Sequence, residues 1–134
     1  ANLCYILQEP VMEKTLQILS SALSAILLVI ALRWVFDPAG AAESLQMIFM
    51  EGAGRNSLIG DVGAFFFGMG GFAAFGVWKK RPEFLFAAAF LIAVAAALRI
   101  FSGFIHDAPT IWSAVVFELV ASSVWITYGR KLAG

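Results

Sequence analysis

Four stretches of this chain are apolar for about twenty residues at a time, the length a helix needs to cross a hydrocarbon core ~30 Å thick. They run from about Thr15 to Phe36, Ser57 to Trp78, Glu83 to Ile105 and Ile111 to Tyr128. A run of that kind has few places to go except lipid, because its backbone groups must then be satisfied within the helix itself. Composition agrees. Of the 134 residues, 61% are hydrophobic and 13% charged, against roughly 45–50% and about 25% in a soluble domain. A β-barrel is excluded, since its strands are short and alternate in polarity. Disordered, collagen-like and disulfide-stapled chains are excluded too, with 12 Gly, 4 Pro and 1 Cys.

The expected fold is therefore an all-α, single-domain membrane protein, a four-helix up-down-up-down bundle. Lys79-Lys80-Arg81-Pro82 and His106-Asp107-Ala108-Pro109-Thr110 are connections short enough to hold antiparallel neighbours. The first connection, from Pro38 to Asn56, is longer. Leu45, Ile48 and Phe49 fall at helical spacing there, with Met47 and Met50 nearby, which predicts a short interfacial helix on the membrane surface. The segment from Ala1 to Lys14 lacks the charged, apolar and small-residue regions of a signal peptide, so the first span is expected to act as its own insertion signal. Cys4 has no second cysteine to pair with and reads as an ordinary thiol near the interface.

Charge is balanced overall but not by side. Lys14, Lys79, Lys80, Arg81, Arg130 and Lys131 outnumber Glu9, Glu13 and Glu83 on the side that holds both termini. On the other side Asp37, Glu43, Glu51, Asp61, Asp107 and Glu118 outnumber Arg33, Arg55 and Arg99. The positive-inside rule then places both termini in the cytoplasm of a multi-pass protein of the inner (plasma) membrane. Trp78 and Tyr128 are expected as interfacial anchors on that side, and Trp34 and Trp112 on the other. The zero net charge gives no reason to expect nucleic acid.

Three ionisable residues lie deeper than span ends allow. Asp61, Arg99 and Glu118 come from three different spans, yet all fall roughly 6–10 Å below the same boundary at 1.5 Å per residue. An isolated charge at the bilayer centre costs at least ~2.5–3.5 kcal/mol, so such groups pair and face inward. Arg99 is expected to bridge Asp61 and Glu118, with Arg33, Arg55 or His106 available to the remaining carboxylate. Arg99, Ser102, Gly103 and His106 share one face of the third span and extend this polar stripe outward. Such a cluster either fixes helix register or forms a ligand or proton site.

Small residues set the expected packing. Gly60, Ala64, Gly68, Phe72 and Gly76 recur at intervals of four along the second span, with Gly63, Gly70 and Gly71 on a second small surface. Ala89, Ala93, Ala96 and Ala97 answer them on the third. Spans two and three are therefore expected to form the tight centre of the bundle. The 13 Phe residues are left to face lipid, a neighbouring subunit or a pocket of quinone or sterol size. No metal or haem ligand set is present with one His and one Cys. There is no phosphate-binding glycine loop, and Ser102 with His106 is a weak nucleophile–base pair. No cofactor is expected.

Arg55 through Gly63, Gly68-Met69-Gly70-Gly71, Ala97-Leu98-Arg99, His106-Asp107 with Pro109, and Glu118-Leu119 together resemble an uncharacterised bacterial group of small four-helix membrane proteins, domain-of-unknown-function family 4345. The resemblance covers about residues 30 to 128, and the family's acidic residue just before the basic one is absent at Gly54-Arg55. It implies a layout like that of DoxX-like and emopamil-binding-like proteins, and no reaction. The favoured function is an accessory or structural subunit of a membrane assembly or a homo-oligomer. The alternative is a module binding a lipophilic quinone, sterol-like molecule or lipid at the Asp61/Arg99/Glu118 cluster. An enzyme using a buried carboxylate is the least favoured.

Overall fold

The computed structural model describes residues 2–134, with side chains from residue 8 onward, so Cys4 lies outside the described side chains. Helix and connecting coil make up all of it. Helix α1 spans Asn2–Phe36, α2 Pro38–Ser44, α3 Gly52–Lys79, α4 Pro82–Ile105 and α5 Trp112–Ala133. Three helices, α1 (over Gln8–Phe36), α3 and α4, are long and apolar enough to cross a membrane. Helix α5 is more polar, because Glu118, Ser122, Ser123 and Thr127 interrupt its apolar run.

The element ends follow local chemistry. Asp37 stops α1 and caps α2, its side chain accepting from the Gly40 N–H at 3.1 Å while Pro38 takes the first helical position. That bond, and then the Arg33 guanidinium, hold the Asp37 carboxyl below the ordinary aspartate range. Lys80 adopts a left-handed conformation to end α3, and Pro82 opens α4 two residues later. Helix α1 begins well before the expected span and, at 35 residues, reaches roughly 50 Å, so its first turns extend past any bilayer core.

The first connection departs from expectation. Helix α2 lies at Pro38–Ser44, and Gln46 turns left-handed at φ 57°, which ends it before Leu45, Ile48 and Phe49 can share a helix face. From Leu45 to Met50 burial alternates instead. Leu45, Met47 and Phe49 pack on the core, while Gln46, Ile48 and Met50 are exposed. Leu45 and Gln46 form the turn that closes α2, and residues 47–50 continue as a strap without regular secondary structure.

Each long helix packs against two others. Trp34 meets Gly63, and Leu27 and Leu28 meet Gly70, so α1 and α3 run antiparallel. Arg99 meets Glu118 and Phe86 meets Gly129, which sets α4 against α5 in the same sense. Glu9 and Ser20 of α1 meet Lys131 and Trp125 of α5. The core joins Leu27, Ala31 and Trp34 of α1 to Phe66, Met69 and Ala73 of α3, Leu85, Ala88 and Ile92 of α4, and Ala121, Trp125 and Tyr128 of α5.

The closest packing is not where the glycine periodicity puts it. The pairs α1–α3 and α4–α5 have the most extensive contacts, ahead of α3–α4. Gly60, Gly68 and Gly71 face open space, and Ala64 is exposed. Gly70 is the close approach: a Cβ there would sit 3.0 Å from the Leu28 backbone nitrogen. Gly76 plays the same part against Leu85 of α4. Of the alanines expected to answer on α4, Ala89 and Ala96 are buried, Ala93 is half-buried and Ala97 is exposed. Trp34 and Tyr128 are core residues rather than interfacial anchors. Trp78 and Trp112 are exposed near helix ends, and Lys79 Nζ lies 3.9 Å over the Trp78 ring.

Candidate functional site

Arg99 and Glu118 meet across α4 and α5. Arg99 Nε donates to Glu118 Oε1 at 2.9 Å. Glu118 is 7% exposed, and the Arg99 side chain 31%. Local structure fixes the arginine. Ser102 donates to the Arg99 carbonyl at 3.1 Å, and Thr110, folded back from the α4–α5 loop, reaches the same carbonyl at 3.5 Å. Gly103 leaves room for that return, since a Cβ there would collide with the Thr110 hydroxyl.

The pair lines a cavity of about 660 Å³ between the four long helices. Its floor is Leu27 of α1, Phe66 and Met69 of α3, and Ile92 of α4. Its exposed lining residues, Ser44 of α2, Gln46 of the strap and Ser113 of α5, mark the mouth. Among the described residues, Arg99 and Glu118 are its only charged lining residues. They sit between mouth and floor, Arg99 being seven residues or about 10 Å along α4 from Ile92. Volume and apolar walls with a few convergent polar groups are those of a small-molecule site. Glu118 Oε2, like Ser20 Oγ, Trp34 Nε1 and Tyr128 Oη, is buried against protein without a hydrogen-bond partner among the described residues.

The other expected members of the cluster are elsewhere. Asp61 is exposed on the outer side of α3 and has no ion pair among the described residues, so the bridge from Arg99 reaches Glu118 alone. Gly63 is level with Trp34, which puts Asp61 near the end of α1 at Phe36 rather than below it. It lies in a π-helical turn, Leu58–Val62, within α3. Arg55 serves the strap. It donates from Nε to the Met50 carbonyl at 3.0 Å, pairs through Nη2 with Glu51 at 2.9 Å, and stacks 4.7 Å from the Phe49 ring centroid. His106 is exposed, its ring edge-on to Phe101. It shares with Arg99 and Ser102 a shallow outer groove on α4, separate from the cavity floor. Arg33 pairs with Asp37.

Comparison of the chain with family models, with curated proteins and with solved structures gives no match.

The cavity itself was not legible in the sequence. Ser44, Leu45, Gln46 and Met47 reach it only because the strap folds over the helix ends. Phe65, Phe66 and Phe117 line it, and the sequence offered its phenylalanines only as facing lipid, a neighbouring subunit or a pocket. Among the described residues no group of three or more His, Cys, Asp or Glu side chains gathers as a metal would need.

Proposed function

We propose that this chain is a four-span, up-down-up-down membrane bundle that holds a lipophilic small molecule in its internal cavity. The observation that carries this reading is a largely apolar cavity of about 660 Å³ whose charged lining, among the described residues, is the Arg99–Glu118 pair. A pair that only fixed helix register would be expected to close on itself. Here one carboxylate oxygen and the Nη atoms of Arg99 remain without a protein partner among the described residues. The proposed fourth span is α5, whose Glu118 and Ser122 are buried toward Arg99 and the core, while the exposed Ser123 and Thr127 donate to carbonyls one turn back, at Leu119 and Ser123. Sidedness belongs to the same proposal. The ion pairs Lys80–Glu13 and Lys131–Glu9 gather the basic clusters at one end, which the positive-inside rule assigns to the cytoplasm of an inner (plasma) membrane. The resemblance to domain-of-unknown-function family 4345 is part of the proposal and supplies a layout only.

The test is native mass spectrometry of the full chain extracted gently from its own membrane, with bound species released and identified. The reading expects a stoichiometric lipophilic molecule that is lost in Ala114→Phe, which fills the cavity from α5, at unchanged helicity. A bare chain, or a molecule retained equally by that variant, contradicts it.

A second reading has its own observation. Gly60, Ala64, Gly68 and Gly71 form an outward small-residue face on α3 with open space at the three glycines. Such a face suits a second helix in lipid. We propose it as the surface by which the protein joins a membrane assembly or a copy of itself, acting as an accessory subunit. A partner protein or oligomer that survives Gly68→Leu with Gly71→Leu would overturn that assignment.

A further inference from the structure

We propose that the cavity holds a short-tailed amphiphile, with an apolar tail of about eight carbons between the floor and the level of the Arg99–Glu118 pair, and a polar part between that level and the mouth. This rests on the reading of the cavity as a ligand site.

Helix register sets the levels. Gly76 of α3 packs on Leu85 of α4. Seven residues away from that contact along each antiparallel helix lie Met69 and Ile92, and seven further lie Val62 and Arg99. Met69 is therefore level with Ile92, and Val62 with Arg99. Leu27 meets Gly70, so α1 reaches the same floor level. Arg99 meets Glu118, which carries the upper level to α5. The two levels are about 10 Å apart at 1.5 Å per residue. Ile111, seven residues before Glu118, puts the top of the lining about 10 Å higher again.

Polarity divides at the level of the ion pair. The lining residues below it are Leu27, Ile30, Phe65, Phe66, Met69 and Ile92, all apolar. The polar ones lie at that level or above it. Arg99 and Glu118 are on it, Ser113 is five residues higher on α5, and Ser44 and Gln46 follow the end of α1. A polar group in the lower half meets no polar lining residue, which is costly away from water. An apolar tail suits that half and the polar part belongs above it.

The floor limits the tail. Leu27, Met69 and Ile92 are each 2% exposed or less, so the space ends there. A zigzag chain built from bonds of about 1.5 Å advances roughly 1.3 Å per carbon, so about eight carbons span the lower half. The volume of about 660 Å³ over a length of about 20 Å gives a mean section near 30 Å², room for one chain about 4–5 Å across. A longer tail either folds back within that section or lifts the polar part past the pair, and both lose fit.

The test offers the full chain in detergent a series of 1-monoacylglycerols with hexanoyl, octanoyl, decanoyl, dodecanoyl and hexadecanoyl tails on one uncharged head. Each is given at equal mole fraction in the detergent. Retention is read by native mass spectrometry as the excess over Ala114→Phe. It is expected to peak at octanoyl or decanoyl and to fall at least about tenfold by hexadecanoyl. Partition out of water rises with every added carbon, so a maximum at a short tail is not a solubility effect. A maximum at any other length overturns the tail assignment while leaving the cavity as a ligand site. If no member is retained above Ala114→Phe, the ligand reading falls and this proposal with it. Ile92→Ala supplies a second readout. It lowers the floor, so the maximum should move to a tail about two carbons longer. A maximum that does not move overturns the floor as the stop. Should that variant fail to fold, the series on the natural chain still decides.

Discussion

At the level of single residues, Arg99 and Glu118 hold opposite charges where water is scarce, and each is expensive without the other. Arg99→Ala should destabilise the protein by about 3 kcal/mol, the low end for breaking a buried pair because the arginine is partly exposed. Replacing both, as Arg99→Met with Glu118→Leu, should recover most of that loss. Unfolding midpoints of the two variants check this; a double variant as unstable as the single one contradicts it. The sequence already pointed to this pair, because depth along a helix can be counted from its ends. Asp61 shows what such counting leaves out. It lies about 200° round α3 from buried Gly63, two residues on, so a shared depth did not give it a shared face. Its outward companions Ala64, Gly68 and Phe72 carried that information, but only once the buried side of α3 was known.

The helices themselves were largely legible. The turn at Lys80 and the stop at Asp37 follow from Pro, charge and capping chemistry, and the α4 boundaries match the apolar run closely. Two things were not. The strap reads as helical from Leu45, Ile48 and Phe49, because a short apolar run fits a helical spacing until tertiary contacts decide its course. The glycines of α3 are spaced for packing on more than one face, and periodicity does not say which face has a neighbour inside the chain. Gly70 and Gly71 separate the two cases. Gly70→Val should cost about 1–3 kcal/mol by forcing α1 from α3, since its Cβ would already crowd Leu28. Gly71→Val meets nothing within 4 Å and should leave the isolated chain unchanged to within about 0.5 kcal/mol. Thermal unfolding in detergent compares them, and equal losses would place the packing face elsewhere.

Across the whole molecule, four long helices enclose a cavity that is apolar at its floor, ionic at its middle and covered by a strap pinned through Arg55. The basic end lies opposite the strap, so the proposed orientation carries a direct consequence. In a Cys4→Ser background, Ile48→Cys should react with an impermeant maleimide in intact cells. Lys80→Cys should react only after permeabilisation. The reverse pattern would invert the topology. The sequence offered a pocket only as one of several destinations for its phenylalanines, since the cavity's walls come from α1, α3, α4, α5 and the strap, and no linear pattern records the space left between them. That space also carries the central claim. The most direct measurement is an experimental structure of the protein purified with the lipids of its own membrane, at a resolution that shows what fills the cavity. The account predicts a continuous apolar density on Leu27, Met69 and Ile92 that ends beside the Arg99–Glu118 pair. A cavity closed by its own side chains, with nothing bound in it, would contradict it.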